Sequence, residues 1–207
     1  MKVVILGAGT CALNVADILT QDRNFQLAGF IATGDEIIAK ANKKIYEQIA
    51  IIGDYGILPR LKQENVCGFV AAISNNFHRE RAYYQAIQAG LIPINVISPG
   101  ASIERSVNLG KGVVINAGCI ISHQVSINNN VIIEAGSILG INSSYGDNCF
   151  ISQGCIVGGE CHLGRNVFLG MRAAVLPYVN VGKNQAVKAG LVVENTLEDL
   201  IRNEFDV

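Results

Sequence analysis

From residue 97 onward, hydrophobic positions recur every six residues. The series opens with Ile97, Ile103, Leu109, Ile115 and Ile121 and closes with Val175, Val181, Val187 and Val193; it is aliphatic throughout except at Tyr145. An α-helix repeats its buried face every 3.6 residues and a strand every two, so neither produces this spacing. A sustained period of six predicts a parallel β-helix. Three hexapeptides make one triangular coil, coils stack at roughly 4.8 Å, and the recurring aliphatic points into the prism. About sixteen hexapeptides give a little over five coils. Burying one aliphatic side chain contributes about 1.5–3 kcal/mol, so the repeat carries most of this half's stability. Gly recurs at the second position of the hexapeptide, as at Gly110, Gly140 and Gly170, and Asn, Asp or Gly gathers near the corners, where positive φ is often needed.

The first 96 residues are patterned differently. The aliphatic run Lys2 to Leu6 ends in Gly7-Ala8-Gly9-Thr10-Cys11-Ala12, and a helical pattern follows through Leu13, Val15, Ala16, Ile18 and Leu19. Strand, glycine turn and helix begin a Rossmann-like α/β unit, whose turn N–H groups and helix N-terminus face an anionic ligand. Further strands are expected over 26–32, 68–73 and 92–96, with a helix over 77–90. The third strand runs into Ser74-Asn75-Asn76. With four strands the unit is short for a dinucleotide fold, and Asp35 beyond the second strand is not a secure ribose ligand. A nucleotide or nucleotide sugar at the strand ends fits better than NAD.

Ser98-Pro99-Gly100 punctuates the boundary. The expected organisation is therefore a Rossmann-like domain over 1–96, a β-helix over 97–195 and a capping helix over 196–207. In that helix Thr196 is the N-cap, Asp199 the third residue, and Leu197, Leu200, Ile201 and Phe205 the apolar stripe. Such a lid would cover the open edge of the last coil.

Composition narrows the function. The formal net charge is −1 and no basic run occurs, which argues against nucleic acid as the main partner. No stretch approaches the roughly 20 apolar residues of a membrane span, and the apolar start lacks a signal-peptide layout, so a cytoplasmic location with reduced thiols is expected. Four of the six cysteines, Cys119, Cys149, Cys155 and Cys161, fall at the fifth position of their hexapeptide, a slot that between residues 101 and 179 is otherwise held by Val, Ala or Ser. They read as small core fillers. Metal-ligand spacing is absent and no metal is expected.

Both halves together resemble the sialic acid O-acetyltransferase-like (NeuD/PglD-type) nucleotide-sugar acetyltransferases. The residues that carry the resemblance are Gly7-Ala8-Gly9-Thr10, Ser74-Asn75-Asn76 followed by Arg79, Ser98-Pro99, and Phe168-Leu169-Gly170 through Val175-Leu176-Pro177. It covers nearly the whole chain. It implies a left-handed β-helix, a homotrimer, and N-acetylation of a nucleotide-linked amino sugar by acetyl-CoA in surface-glycan precursor synthesis. Gly7, Gly9, Thr10, Cys11, Ser74 and Asn75 would bind the nucleotide sugar. Phe150, Gly170, Met171, Ala189 and Gly190 match the family's cofactor positions. A histidine backed by an acid would be the general base.

Here the sequence departs from the family. Counted back from Phe168-Leu169-Gly170, the catalytic pair falls on Ile141-Asn142, and neither side chain can take a proton. His123 stands 18 residues earlier, one whole coil, at the same corner. Gln124 replaces the supporting acid beside it. His123 and Asn142 are thus the candidate catalytic residues. His162 is out of phase with that corner, and His78 lies near the candidate sugar site. An amine acceptor that arrives neutral needs no deprotonation before attack, whereas an alcohol needs a base. N-acetylation is the leading expectation. The alternatives are O-acetylation through His123 and a non-catalytic trimer that binds nucleotide sugar. A β-helix carbonic anhydrase is excluded, because it needs three zinc-binding histidines and only His123 and His162 lie in the repeat.

Overall fold

The computed structural model describes residues 1–34 and 44–200, in two compact units divided between Val96 and Ile97. In the first unit β1 (Lys2–Leu6), β2 (Gln26–Ile31), β3 (Lys44–Tyr46), β4 (Ile49–Gly53), β5 (Val66–Ala71) and β6 (Ile92–Pro93) form one sheet in the order β3-β4-β2-β1-β5-β6. All neighbours are parallel except β3 and β4. Val3 to Leu6 of the central β1 are fully buried, as a strand covered on both faces requires. The helix Thr10–Gln21 buries Cys11, Ala12, Val15, Ala16 and Leu19, and the helix Asn76–Gln88 buries Arg79, Ala82, Tyr83 and Ala86.

The sheet has six strands rather than the expected four. The added pair β3–β4 extends it beyond β2, with Phe30 opposite Ile51. The strand expected over 92–96 divides: Ile92–Pro93 stays in this sheet, while Val96–Ile97 joins the first sheet of the β-helix. Asp35 lies outside the described residues.

The second unit is a left-handed parallel β-helix. Its two-residue strands stack in three sheets, and partners stand 18 residues apart, as in Val114↔Ile132, Ile120↔Ile138 and Ser126↔Ser144. The period-six aliphatics fill one continuous core together with Cys119, Cys149, Cys155 and Cys161, each fully buried. Tyr145, the exception in the series, is buried too. Its hydroxyl pairs with Ser143 Oγ at 3.1 Å, and the Ser143 hydroxyl donates to Gly140 O at 2.6 Å, so the polar end is not stranded in the prism.

Every sixth residue from Gly112 to Gly190 has positive φ. At one corner these residues are Gly112, Asn130, Asn148, Asn166 and Asn184, and the asparagines hydrogen-bond to one another from coil to coil. At the second corner they are Gly118, Gly136, Gly154, Arg172 and Gly190. At the third they are Gln124, Asn142, Glu160 and Tyr178. The left-handed conformation suits Gly and, less well, Asn; other L-residues carry a penalty of roughly 1–2 kcal/mol. That penalty is concentrated at the third corner.

The expected C-terminal helix is not formed in its described part. Leu197 N donates to Asn180 O at 2.9 Å, Leu200 N donates to Lys183 O at 2.9 Å, and Leu197 bridges Val181 in parallel. Thr196 Oγ1 accepts from Asn180 N and Asp199 Oδ1 from Lys183 N. Residues 196–200 thus continue the coil in extended backbone, satisfying the last coil's edge groups directly. Ile201 and Phe205 lie outside the described residues.

Candidate functional site

In the first unit the strand order reverses beside β1, since the chain moves out through β2 and β4 and returns on the other side as β5. Ligands of open α/β sheets bind at such a switch point, outside the carboxyl ends of the strands. Gly7, Gly9, Thr10 and Cys11 follow β1 and Ser74 and Asn75 follow β5, so the structure brings all six expected residues to these strand ends. Gly7 has φ 108°, and a Cβ there would stand 2.8 Å from Ala72 O, so only glycine fits the turn. Gly9 is the N-cap of the helix Thr10–Gln21 and gives it no side-chain cap; a Cβ on it would meet open space. Asn75 has a local duty. Its Oδ1 accepts from Phe77 N and His78 N, both at 3.0 Å, and caps the second helix. The buried Arg79 braces the same loop, donating to Ile73 O at 2.8 Å and to Asn76 Oδ1 at 2.9 Å.

A cleft of about 660 Å³ opens beside this edge, within the range of ligand pockets. Thr33 and Gly34 after β2, Asp54, Tyr55 and Gly56 after β4, Ile73 after β5, and His78, Arg81, Ala82 and Gln85 line it. Asp54 Oδ1 accepts from Gly56 N at 2.8 Å, which fixes the turn. Arg81 and His78 stand one helical turn apart. The cleft therefore offers a cationic wall, an aromatic ring and one carboxylate. Of these only His78 stood out in the sequence, because four separate segments converge here.

In the β-helix the third corner holds the candidate catalytic residues. His123 is exposed; its Nδ1 lies 3.2 Å from Ser106 Oγ and its Nε2 3.6 Å from Glu104 Oε2. Ser106 Oγ also accepts the Gln124 N–H at 3.0 Å. Nε2 faces Glu104. A carboxylate therefore stands beside His123 from the preceding coil, at Glu104 rather than at position 124. Asn142 N donates to His123 O at 3.0 Å, which sets Ile141 one coil beyond the imidazole. The Asn142 amide donates to Glu160 Oε1 at 2.6 Å on the coil after that. His162 sits on another face, with Nδ1 2.8 Å from Ser144 Oγ.

Gly170, Met171, Ala189 and Gly190 meet on two successive coils at the second corner, where Gly190 N donates to Met171 O at 2.8 Å. A Cβ on Gly170 would stand 2.5 Å from Ala189 N, so the coils close on a bare backbone there. Phe150 lies one coil earlier on the adjoining sheet, buried and stacked on Phe168 with ring centroids 5.5 Å apart. The expected cofactor residues and His123 therefore occupy different corners of the prism. The sheet between those corners points Ile120, Ile138, Ile156 and Val192 outward, and all four are exposed. The next sheet presents a polar row, Asn108, Ser126, Ser144 and His162.

Among the described residues no group of His, Cys, Asp and Glu could hold a metal ion, and no helix is long and apolar enough to cross a membrane. Residues 2–86 match the family described as the PglD N-terminal domain, and residues 88–192 match that described as the GMPPB C-terminal domain. No curated protein matches the sequence. Among solved structures, PerB from Caulobacter crescentus, in complex with CoA and GDP-perosamine, is 28% identical with a TM-score of 0.89, over 97% of this chain and 92% of that one. A histidine-to-asparagine mutant of the perosamine N-acetyltransferase from the same organism, also in complex with CoA and GDP-perosamine, is 27% identical with a TM-score of 0.69 over 97% and 92%. The acetyltransferase domain of PglB from Neisseria gonorrhoeae is 21% identical with a TM-score of 0.83 over 96% and 93%, a likeness of fold.

Proposed function

The chain belongs to the NeuD/PglD-type nucleotide-sugar acetyltransferases, a PglD N-terminal domain joined to a β-helix of the GMPPB C-terminal domain family, and from that premise we propose that it transfers an acetyl group from acetyl-CoA to the amino group of a nucleotide-linked sugar. The nucleotide occupies the β1–β5 switch point and the adjoining cleft. Arg81 and the open N-terminus at Gly9 meet its phosphates, and Thr10, Cys11 and Ser74 line its path. Acetyl-CoA lies along the corner formed by Met171, Ala189 and Gly190, with Gly170 and Phe150 shaping the wall.

The observation that carries the reading is the third corner. His123 has Ser106 Oγ 3.2 Å from Nδ1 and Glu104 Oε2 3.6 Å from Nε2, one coil from Ile141. With the family's base position occupied by Ile141, the His123 Nδ1–H donates to Ser106 Oγ, Nε2 takes the proton that the attacking nitrogen loses, and Glu104 stabilises the imidazolium. The nitrogen attacks the thioester carbon, the C–N bond forms, the C–S bond breaks, and the CoA thiolate leaves to be protonated. That a histidine mutant of the Caulobacter enzyme is found with both CoA and GDP-perosamine supports separating ligand binding from the base.

The outward aliphatic row supports a trimeric assembly. Ile120, Ile138, Ile156 and Val192 form an exposed apolar stripe between the His123 corner and the Met171 corner. A rotationally closed homotrimer buries that stripe and brings the Met171 corner of one copy beside the His123 corner of the next, which completes a site that one chain divides. Sedimentation tests this directly: a trimer is expected, and Ile138→Asp should give monomers that have lost turnover. A fully active monomer would remove the shared site.

A further inference from the structure

Glu160 and Tyr178 hold the left-handed conformation, φ 59° and 67°, at positions where the neighbouring Asn-lined corner uses only Gly and Asn. Strained residues persist where the side chain has work that outweighs the strain. Both stand in one column with Gln124 and Asn142, on the two coils after Ile141. The Glu160 carboxylate is partly buried and fixed by the Asn142 amide at 2.6 Å, while its backbone N–H donates to Ile141 O at 2.9 Å. Gly159 adds no side chain beside it. The Tyr178 ring, on the following coil, is 78% exposed. The corner thus offers an apolar floor at Ile141, a clamped carboxylate next to it and an uncovered aromatic face beyond.

We propose that Glu160 selects the acceptor as an amine. Its carboxylate receives the ammonium form of the sugar's amino group over Ile141. The ammonium gives one proton to solvent before the neutral nitrogen attacks and a second to His123 on attack. Asn142 holds the carboxylate in place, and Tyr178 flanks the sugar ring. A hydroxyl acceptor at the same point has no charge to offer, so it binds less well. The assignment rests on the acetyltransferase reading above, but it concerns binding and can be measured without turnover.

The test uses matched pairs of UDP-, dTDP- and GDP-linked sugars that differ only in an amino or a hydroxyl group at the acceptor carbon. Calorimetry on the wild type should favour the amino member of the accepted pair by about ten-fold or more. Glu160→Gln, which keeps the shape and an acceptor for Asn142, should reduce that ratio to about two-fold or less and leave acetyl-CoA affinity unchanged. Glu160→Asn should collapse the ratio in the same way while raising the thermal midpoint, since Asn suits the left-handed position. An amine preference that survives in both variants overturns the proposal. A collapsed ratio in a protein that never acetylates either sugar supports Glu160 and removes the acetyltransferase reading instead. An active wild type that binds both sugars equally overturns Glu160 and leaves the acetyltransferase standing.

Discussion

The backbone N–H of Asn142 donates to the carbonyl of His123 at 3.0 Å, so Ile141 and the imidazole occupy the same corner on consecutive coils. The spacing between them is one strand separation, roughly 4.8 Å. In the proposed reaction, an acceptor nitrogen over Ile141 stands beside the His123 base on that neighbouring coil.

That relationship can be tested by moving the base. His123→Ala should lower kcat by about 10²-fold or more, the scale of general base catalysis, with acetyl-CoA affinity retained. Adding Ile141→His to the same chain should restore at least about ten-fold, because it returns an imidazole to the corner one coil on. A rate near that of the wild type for His123→Ala would take His123 out of the mechanism.

The cleft yields a second expectation. Arg81 lines it beside His78, across from Asp54 and Tyr55. A charge-assisted hydrogen bond from Arg81 to a phosphate contributes about 1.5–3 kcal/mol. Arg81→Ala should therefore weaken nucleoside diphosphate binding by about ten-fold or more in calorimetry. An unchanged Kd would place the phosphates elsewhere along the strand ends.

Much of this architecture was legible in the sequence because a period of six encodes the coil directly. The same count explained four cysteines as core and located Ile141. Tyr145 broke the count but not the fold, since Ser143, two residues earlier, partners its hydroxyl inside the prism. Local spacing misled at the C-terminus. Leu197 and Leu200 are spaced as on a helix, yet the unpaired edge at Asn180, Gly182 and Lys183 draws their backbone into the coil. The site was legible in part. Glu104 escaped notice because it is distant from His123 in sequence, although 18 residues back from His123 falls on its neighbour Arg105. Asp54, Tyr55 and Arg81 meet only because β4 lies beside β2, and the five-residue run that makes β4 gave no sign of its partner.

Gly170 separates a structural role from a ligand role. A Cβ there would meet the Ala189 backbone N at 2.5 Å, where no flexible side chain can give way. Gly170→Ala should cost about 1–3 kcal/mol of stability through overpacking. The denaturation midpoint should fall. Unchanged stability with lost acetyl-CoA binding would instead make Gly170 a direct cofactor contact.

Thiol chemistry follows from burial. Cys67 is exposed and the other five cysteines are buried. One thiol per chain should react rapidly with an aromatic disulfide reagent at pH 8. Burial pushes the Cys155 thiol up to about 11 from an ordinary 9.0. The folded state therefore holds that proton more tightly than the unfolded chain. Stability should therefore fall as pH rises from about 9 toward 11, because the unfolded chain releases that proton first. Cys155→Ala should flatten that part of the profile; an unaltered alkaline slope would assign it to other groups.

Acyl transfer to an amine is tested most directly by thiol release. Acetyl-CoA is mixed with UDP-, dTDP- and GDP-linked amino sugars and their hydroxyl counterparts, and free CoA thiol is followed alongside the sugar product. The expected result is thiol released in step with an N-acetylated nucleotide sugar, for an amino sugar and not for its hydroxyl counterpart. Binding of both ligands with no thiol released above the enzyme-free rate would contradict it.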